Sequence, residues 1–249
     1  MPNYDSTFFD YVNSGAVESA KRLLPLLQQS LEISSVLDIG CGQGAWLSVW
    51  KELGVRKVIG VDGNYVDREK LMIAKDSFVP LNLSDRFDLG QRFDLVQSLE
   101  VAEHLPAQSA ATFVDSLVKH GDFVLFSAAP KGQGGDNHIN EQDYDYWRTL
   151  FAKRGYVAFD YLRPLVRFEQ AIEPWYRYNT ILYVASGYVE MLPDKVRFSR
   201  VPDNEKIRDL SPAIYKIRKG LVRLLPVPAM TWIAKIKERL VAKVRKNNA

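Results

Sequence analysis

Cysteine is nearly absent from this chain: Cys41 stands alone among 249 residues. A single thiol excludes an internal disulfide and any multi-cysteine zinc centre. Histidine is scarce too, confined to His104, His120 and His138, so a metal held by this chain has to draw on those imidazoles and on carboxylates. Long apolar runs are missing, and nothing reaches the about 18 consecutive apolar residues that a membrane-spanning helix requires. The opening stretch MPNYDSTFFDYVNSG has no basic region leading into an apolar one, so it lacks the pattern of a secretory leader. Together these absences predict a cytoplasmic protein.

Acidic residues are missing from one end. Between residues 211 and 249, ten Lys or Arg face one acid, Glu238, which gives that segment +9; with +3 for the whole chain, the other 210 residues carry −6. An acidic body argues against a broad nucleic-acid-binding face on it. In AMTWIAKIKERLVAKVRKNNA, Trp232, Ile233, Ile236, Leu240 and Val244 fall near one helix face, with Lys235, Arg239, Lys243 and Lys246 on another. That composition suits a helix lying on an anionic membrane surface, which would make the protein peripheral to the inner face of a membrane. It suits equally a helix packed on the body or on a second subunit.

What is abundant is hydrophobic residue, 47% of the chain and ample for one core. Short β-branched and aromatic runs mark strands: SVLDI (35–39), KVIGV (57–61), FVPLN (78–82), FDLVQS (93–98), FVLFSAA (123–129), YVAFDY (156–161) and TILYVA (180–185). Helical patterns such as AWLSVWKEL, SAATFVDSLVKH and DYDYWRTLFAKRG separate them. Alternation of this kind predicts an α/β fold, a mostly parallel seven-stranded sheet with helices on both faces. The expected organisation is a domain over 1–190, a proline-punctuated linker over 191–212, and a basic amphipathic helical tail over 213–249.

The first chemical motif is VLDIGCGQGAWL, where a strand containing Asp38 runs into Gly40, Gly42 and Gly44 before a helix opens at Ala45. Glycines at alternate positions let the backbone turn sharply and approach a ligand, and the helix start offers free N–H groups to a negative group. Asp62 ends the next strand, 24 residues after Asp38, where a Rossmann-like site places a carboxylate on ribose hydroxyls. The order DIGCGQG differs from the dinucleotide GxGxxG. With Asp62 it resembles the class I S-adenosylmethionine-dependent methyltransferases over roughly residues 16 to 186. The resemblance implies that Gly40, Gly42 and Gly44 line the methionine and ribose of S-adenosylmethionine, and that Asp38 holds the loop or, through water, the ammonium. It gives Asp62 to the ribose. Asn82 stands where the family often has an acid contacting the adenine amino group, with Leu83 beside the ring; an Asn can accept that bond through its carbonyl.

The second motif is SLEVAEHLP, residues 98 to 106, which is expected to set Glu100, Glu103 and His104 on one helical turn at the carboxyl end of the fourth strand. It resembles the turn of plant-type small-RNA end methyltransferases, in which two acids and a His join a later His around a divalent cation; ubiquinone-pathway O-methyltransferases are similar in the turn. Here the later residue is His138, in the loop after the fifth strand, whereas His120 ends a helix where a cation is favourable and chemistry is not expected. Glu100, Glu103, His104 and His138 then form a candidate site for Mn, Fe or Mg. Two alternatives stay open: a metal-free site with His138 or His104 as base and Glu103 orienting His104, and a purely structural turn.

For an acceptor, residues 160–179 gather Arg163, Arg167, Trp175, Tyr176 and Arg177, aromatic faces suiting sugar rings and Arg forks suiting phosphate or carboxylate. A crossover helix packed on the sheet would have the same composition. GQGGDNHINEQ with YWRTLFAKRGY and EPWYRYN is similar to bacterial methyltransferases associated with surface-polysaccharide biosynthesis, which implies O-methylation of a glycan or lipid-linked sugar. An RNA 2′-hydroxyl methyltransferase, a metal-free small-molecule methyltransferase and a non-catalytic membrane-associated scaffold are the other readings, and a homo-oligomer is left open.

Overall fold

The computed structural model describes residues 6–225. Helix α1 (Ser6–Gln28) leads into β1 (Ser35–Ile39), α2 (Ala45–Glu52), β2 (Lys57–Asp62) and β3 (Phe78–Pro80). Then follow β4 (Leu95–Leu99), α3 (Ala110–His120), β5 (Phe123–Ser127), α4 (Tyr144–Ala152) and β6 (Tyr156–Phe159). Short helices α5 (Leu162–Val166) and α6 (Pro174–Asn179) precede β7 (Ile181–Ala185), and α7 (Asp194–Arg197) and α8 (Ala213–Val222) close the described chain.

The seven strands form one sheet in the order β3-β2-β1-β4-β5-β7-β6. Only β7 runs against its neighbours. The central strands are apolar without alternation because helices cover both faces. Leu23, Leu24, Leu27 and Trp50 fill one face, and Phe113, Leu117, Trp147 and Phe151 the other. The chain winds outward from β1 to β3 and then crosses back to β4, so the carboxyl ends of β1 and β4 flank the switch point where ligands bind in such folds.

Two expectations meet a different structure. Residues 191–212, read as a linker, pack against the body, with Leu192, Val196, Ile207 and Ser211 buried. Main-chain bonds from Asp160 N to Ser199 O (2.9 Å) and from Val201 N to Ala158 O (2.9 Å) lay this segment along β6. An edge strand otherwise presents unpaired backbone groups, and covering it makes no demand for an apolar pattern. His120, read as a place for a cation, is buried: its Nδ1 lies 2.6 Å from Ser116 O and its Nε2 accepts from Leu89 N at 2.9 Å. Among the described residues no helix is long and apolar enough to cross a membrane. The amphipathic stretch 229–249 lies outside the described residues.

Candidate active site

Gly40, Gly42 and Gly44 all have left-handed backbones, with φ of 87°, 53° and 85°, a region that penalises side chains. At Gly40 a Cβ would also stand 2.3 Å from a Val101 methyl. The turn is tied to β2 by Gly40 N to Val61 O (2.7 Å), and Gly42 N donates to Asp62 Oδ2 (2.7 Å). Asp62 Oδ1 accepts from Gly63 N (2.6 Å) and from the hydroxyl of Tyr65. Burial pushes the Asp62 carboxyl up, and these donors counter it. Asp38 is buried beneath the turn with Gln97 as its register partner on β4. Burial, opposed by the neighbouring Gln97 side chain and reinforced by Asp62, raises Asp38 to about 7. Gln43 was not singled out from the sequence. It is buried, its Oε1 accepts from Asn13 (2.7 Å), and its Nε2 has no partner. An orphaned buried donor in this turn suits an anionic group of a ligand.

Directly after β4 the chain turns at Glu100, whose φ of 57° is left-handed, a strained state for a residue with a side chain. A single 3-10 turn, Ala102–His104, follows. The expected helical face is thus replaced by a sharp corner, which leaves Glu100 beside Glu103 but outside the group of ligand atoms. Glu100 is held by Gln133 Nε2 (2.7 Å) and Asn179 Nδ2 (3.1 Å). Glu103, His104 and His138 do come together: one ligand atom from each lies within 4.8 Å of the others. Glu103 is 0% exposed, yet neither carboxylate oxygen receives a hydrogen bond, and His104 Nδ1 is also unpartnered. Burial, and then the adjacent Glu100, hold Glu103 well above the usual carboxylate range. Burial and the His138 ring push His104 down to about 3, leaving its lone pair free.

The loop bearing His138 is fixed to this turn by main chain. Ile139 N and Asn140 N both donate to the Glu103 carbonyl, at 2.9 and 3.0 Å. Glu141 then orients the ring, lying 2.9 Å from His138 Nδ1 while accepting from Gly132 N and Gly134 N. A carboxylate behind one imidazole nitrogen directs the other toward a metal or a substrate proton. The two unbonded Glu103 oxygens and His104 Nδ1, beside the His138 ring, fit a divalent cation. Val101 packs on Gly40, so the trio abuts the glycine turn.

Residues 14–178 match the family model described as a methyltransferase domain. The chain is a methyltransferase of this family. Its cofactor is S-adenosylmethionine. No curated protein matches the methyltransferase. Its fold is shared with the sugar N-methyltransferase KedS8 from Streptoalloteichus, at a TM-score of 0.58 and 15% identity over 74% of this chain and 94% of that one. An O-methyltransferase family protein from Burkholderia thailandensis gives 0.54 and 13% over 72% and 57%, so the methyltransferase spans little more than half of that protein. DesVI of Streptomyces venezuelae gives 0.52 and 14% over 71% and 95%.

Several expected residues lie elsewhere in the methyltransferase. Arg163 is fully buried, paired through two nitrogens with Asp160 (2.7 Å each) and donating to Tyr178 O (2.9 Å). Fully buried and paired in this way, it is turned away from solvent. Arg177 is buried and donates to Glu169 O (3.0 Å). Tyr176 is buried edge-on against Trp46 of α2, 4.9 Å between centroids. Of that group only Arg167, stacked on Phe168 at 4.4 Å, and the half-buried Trp175 reach solvent. Asn82 closes its own turn, its carbonyl accepting from Ser84 N (3.2 Å) and its amide donating to Asp85 (2.8 Å). Leu83 is buried in the core. Gln43, Gln133, Glu141 and Asn179 were missed because amides and acids scattered along a chain carry no spacing that marks them.

Proposed function

We propose that this methyltransferase transfers the methyl group of S-adenosylmethionine to a hydroxyl of a sugar, in a glycan or lipid-linked saccharide, with a divalent cation held by Glu103, His104 and His138. The observation that carries the reading is the Glu103 carboxyl, fully buried and unbonded within 4.8 Å of two imidazole nitrogens. A sulfonium methyl is already activated, so the protein's task is to place and deprotonate the acceptor. A cation at this site would lower the pKa of an adjacent sugar hydroxyl. Glu103 supplies the oxygen ligand, His104 and His138 the nitrogens, and Glu141 keeps the His138 ring aligned. Two imidazoles and one carboxylate favour Mn or Fe over Mg, whose preferred ligands are oxygens. The kinship of the fold with a sugar N-methyltransferase and an O-methyltransferase family protein supports the substrate class.

Calorimetric titration of metal-stripped protein with Mn2+, in saturating cofactor product, tests the site. Wild type is expected to bind one ion, and Glu103→Gln and His138→Ala to bind none. Glu100→Gln should keep saturable binding, weakened about ten- to a hundredfold as for a supporting residue. Absence of binding in wild type would sink the cation and favour a second reading, carried by the His138–Glu141 pair at 2.9 Å. In that reading His138 takes the acceptor proton directly.

A further inference from the structure

Helix α8 is amphipathic the wrong way round for a helix on a soluble body. Its inward face carries Tyr215, Lys219 and Val222, while Ile214, Ile217 and Leu221, and Leu224 in the turn just past its end, are 68%, 61%, 64% and 82% exposed. Spacings of three and four place those aliphatic residues in one stripe. The helix cannot roll to hide them. Lys219 Nζ is bonded to Asp209 (2.6 Å), Tyr215 packs edgewise on Tyr178 (5.9 Å), and Arg223 Nε donates to Lys131 O (2.9 Å). A Cβ on Gly132 would stand 2.2 Å from the Lys219 carbonyl, so the helix is seated close on the loop that leads to His138.

We propose that α8 docks on an anionic lipid bilayer. Lys216, Arg218 and Arg223 flank the stripe, α8 carries no acid, and Lys216 and Arg218 have no acidic partner among the described residues. Residues 226–249 add six Lys or Arg against Glu238. A second copy of α8, or the chain's own basic tail, would set positive charge against positive. Anionic headgroups supply the missing sign, and acyl chains accept the stripe. The inference stands on α8 alone and needs neither the cation nor the sugar acceptor. It places the His138 loop beside the lipid surface.

The test is co-sedimentation of the full chain with vesicles of phosphatidylcholine alone and of equal parts phosphatidylcholine and phosphatidylglycerol. Binding is expected only to the anionic vesicles, weakening with salt, and falling about tenfold or more in Ile217→Glu/Leu221→Glu. Both positions are exposed, and an unchanged far-ultraviolet dichroism spectrum and cofactor affinity would show that the variant folds. Equal binding to both vesicle types, no binding at all, or binding untouched by the double substitution would each overturn the proposal. So would a wild-type dimer in light scattering that the same substitutions split, since the stripe would then be covered by a second copy.

Discussion

Asp38 carries a conflict between stability and ligand binding. Its folded pKa of about 7 exceeds the ordinary 3.8 because burial outweighs the influence of the neighbouring Gln97 side chain. The cofactor-free protein therefore holds a proton that the unfolded chain releases, and stability falls as pH rises from about 4 to about 7 and is flat above. Asp38→Asn should raise the melting temperature of the cofactor-free protein at pH 8, a gain of about 1–3 kcal/mol. The family resemblance sets the cationic end of the cofactor near Asp38, where it would favour the ionised carboxyl; wild-type affinity is then expected to strengthen through pH 7, and the variant to bind about tenfold more weakly without that dependence. Parallel pH profiles for the two proteins would remove Asp38 from the site. At this scale the sequence was informative where chemistry is contiguous, as in DIGCGQG and EVAEH. It misled at Arg163, because an Arg among aromatics has the same composition whether it awaits a phosphate or is consumed by Asp160.

The loop after β5 is an element without regular structure, and one side chain ties three of its residues together. Glu141 accepts from Gly132 N at 2.7 Å and Gly134 N at 2.6 Å besides orienting His138. Glu141→Ala should speed amide exchange at Gly132 and Gly134 by at least about tenfold while leaving β4 and β5 protected, since local opening is set by local bonds. Uniform acceleration across the sheet would show that Glu141 supports the fold instead of the loop. The strands were legible from their apolar β-branched runs, because a strand covered on both faces has little freedom in composition. The segment over 198–201 was not. Its contribution to the edge of β6 comes from backbone groups, which every residue possesses and no side-chain pattern reports.

Across the whole molecule the two faces of the sheet are closed by different helices, and their packing should be separable from the site. Phe151 stacks on Tyr183 with centroids 3.9 Å apart and is fully buried. Phe151→Ala should cost about 3–5 kcal/mol in denaturant unfolding, whereas Phe168→Ala, at a position 76% exposed, should stay within about 0.5 kcal/mol. Comparable losses would mean that Phe168 is covered in solution. The division into an acidic body and a basic end was plain from charge alone, but the seating of α8 was not, because the bond to Lys131 joins segments distant in sequence. The bonds from Ile139 N and Asn140 N to the Glu103 carbonyl belong to this same scale, since they join the ends of two strands. They belong to no particular side chain, so the cradle survives a change of residue at 103, 104 or 138. Under the proposed function, a lineage that exchanged Glu103 for an uncharged residue would lose the cation and still inherit His138 in the same place. One scaffold would then hold the two proposed ways of activating an acceptor within a single substitution of each other.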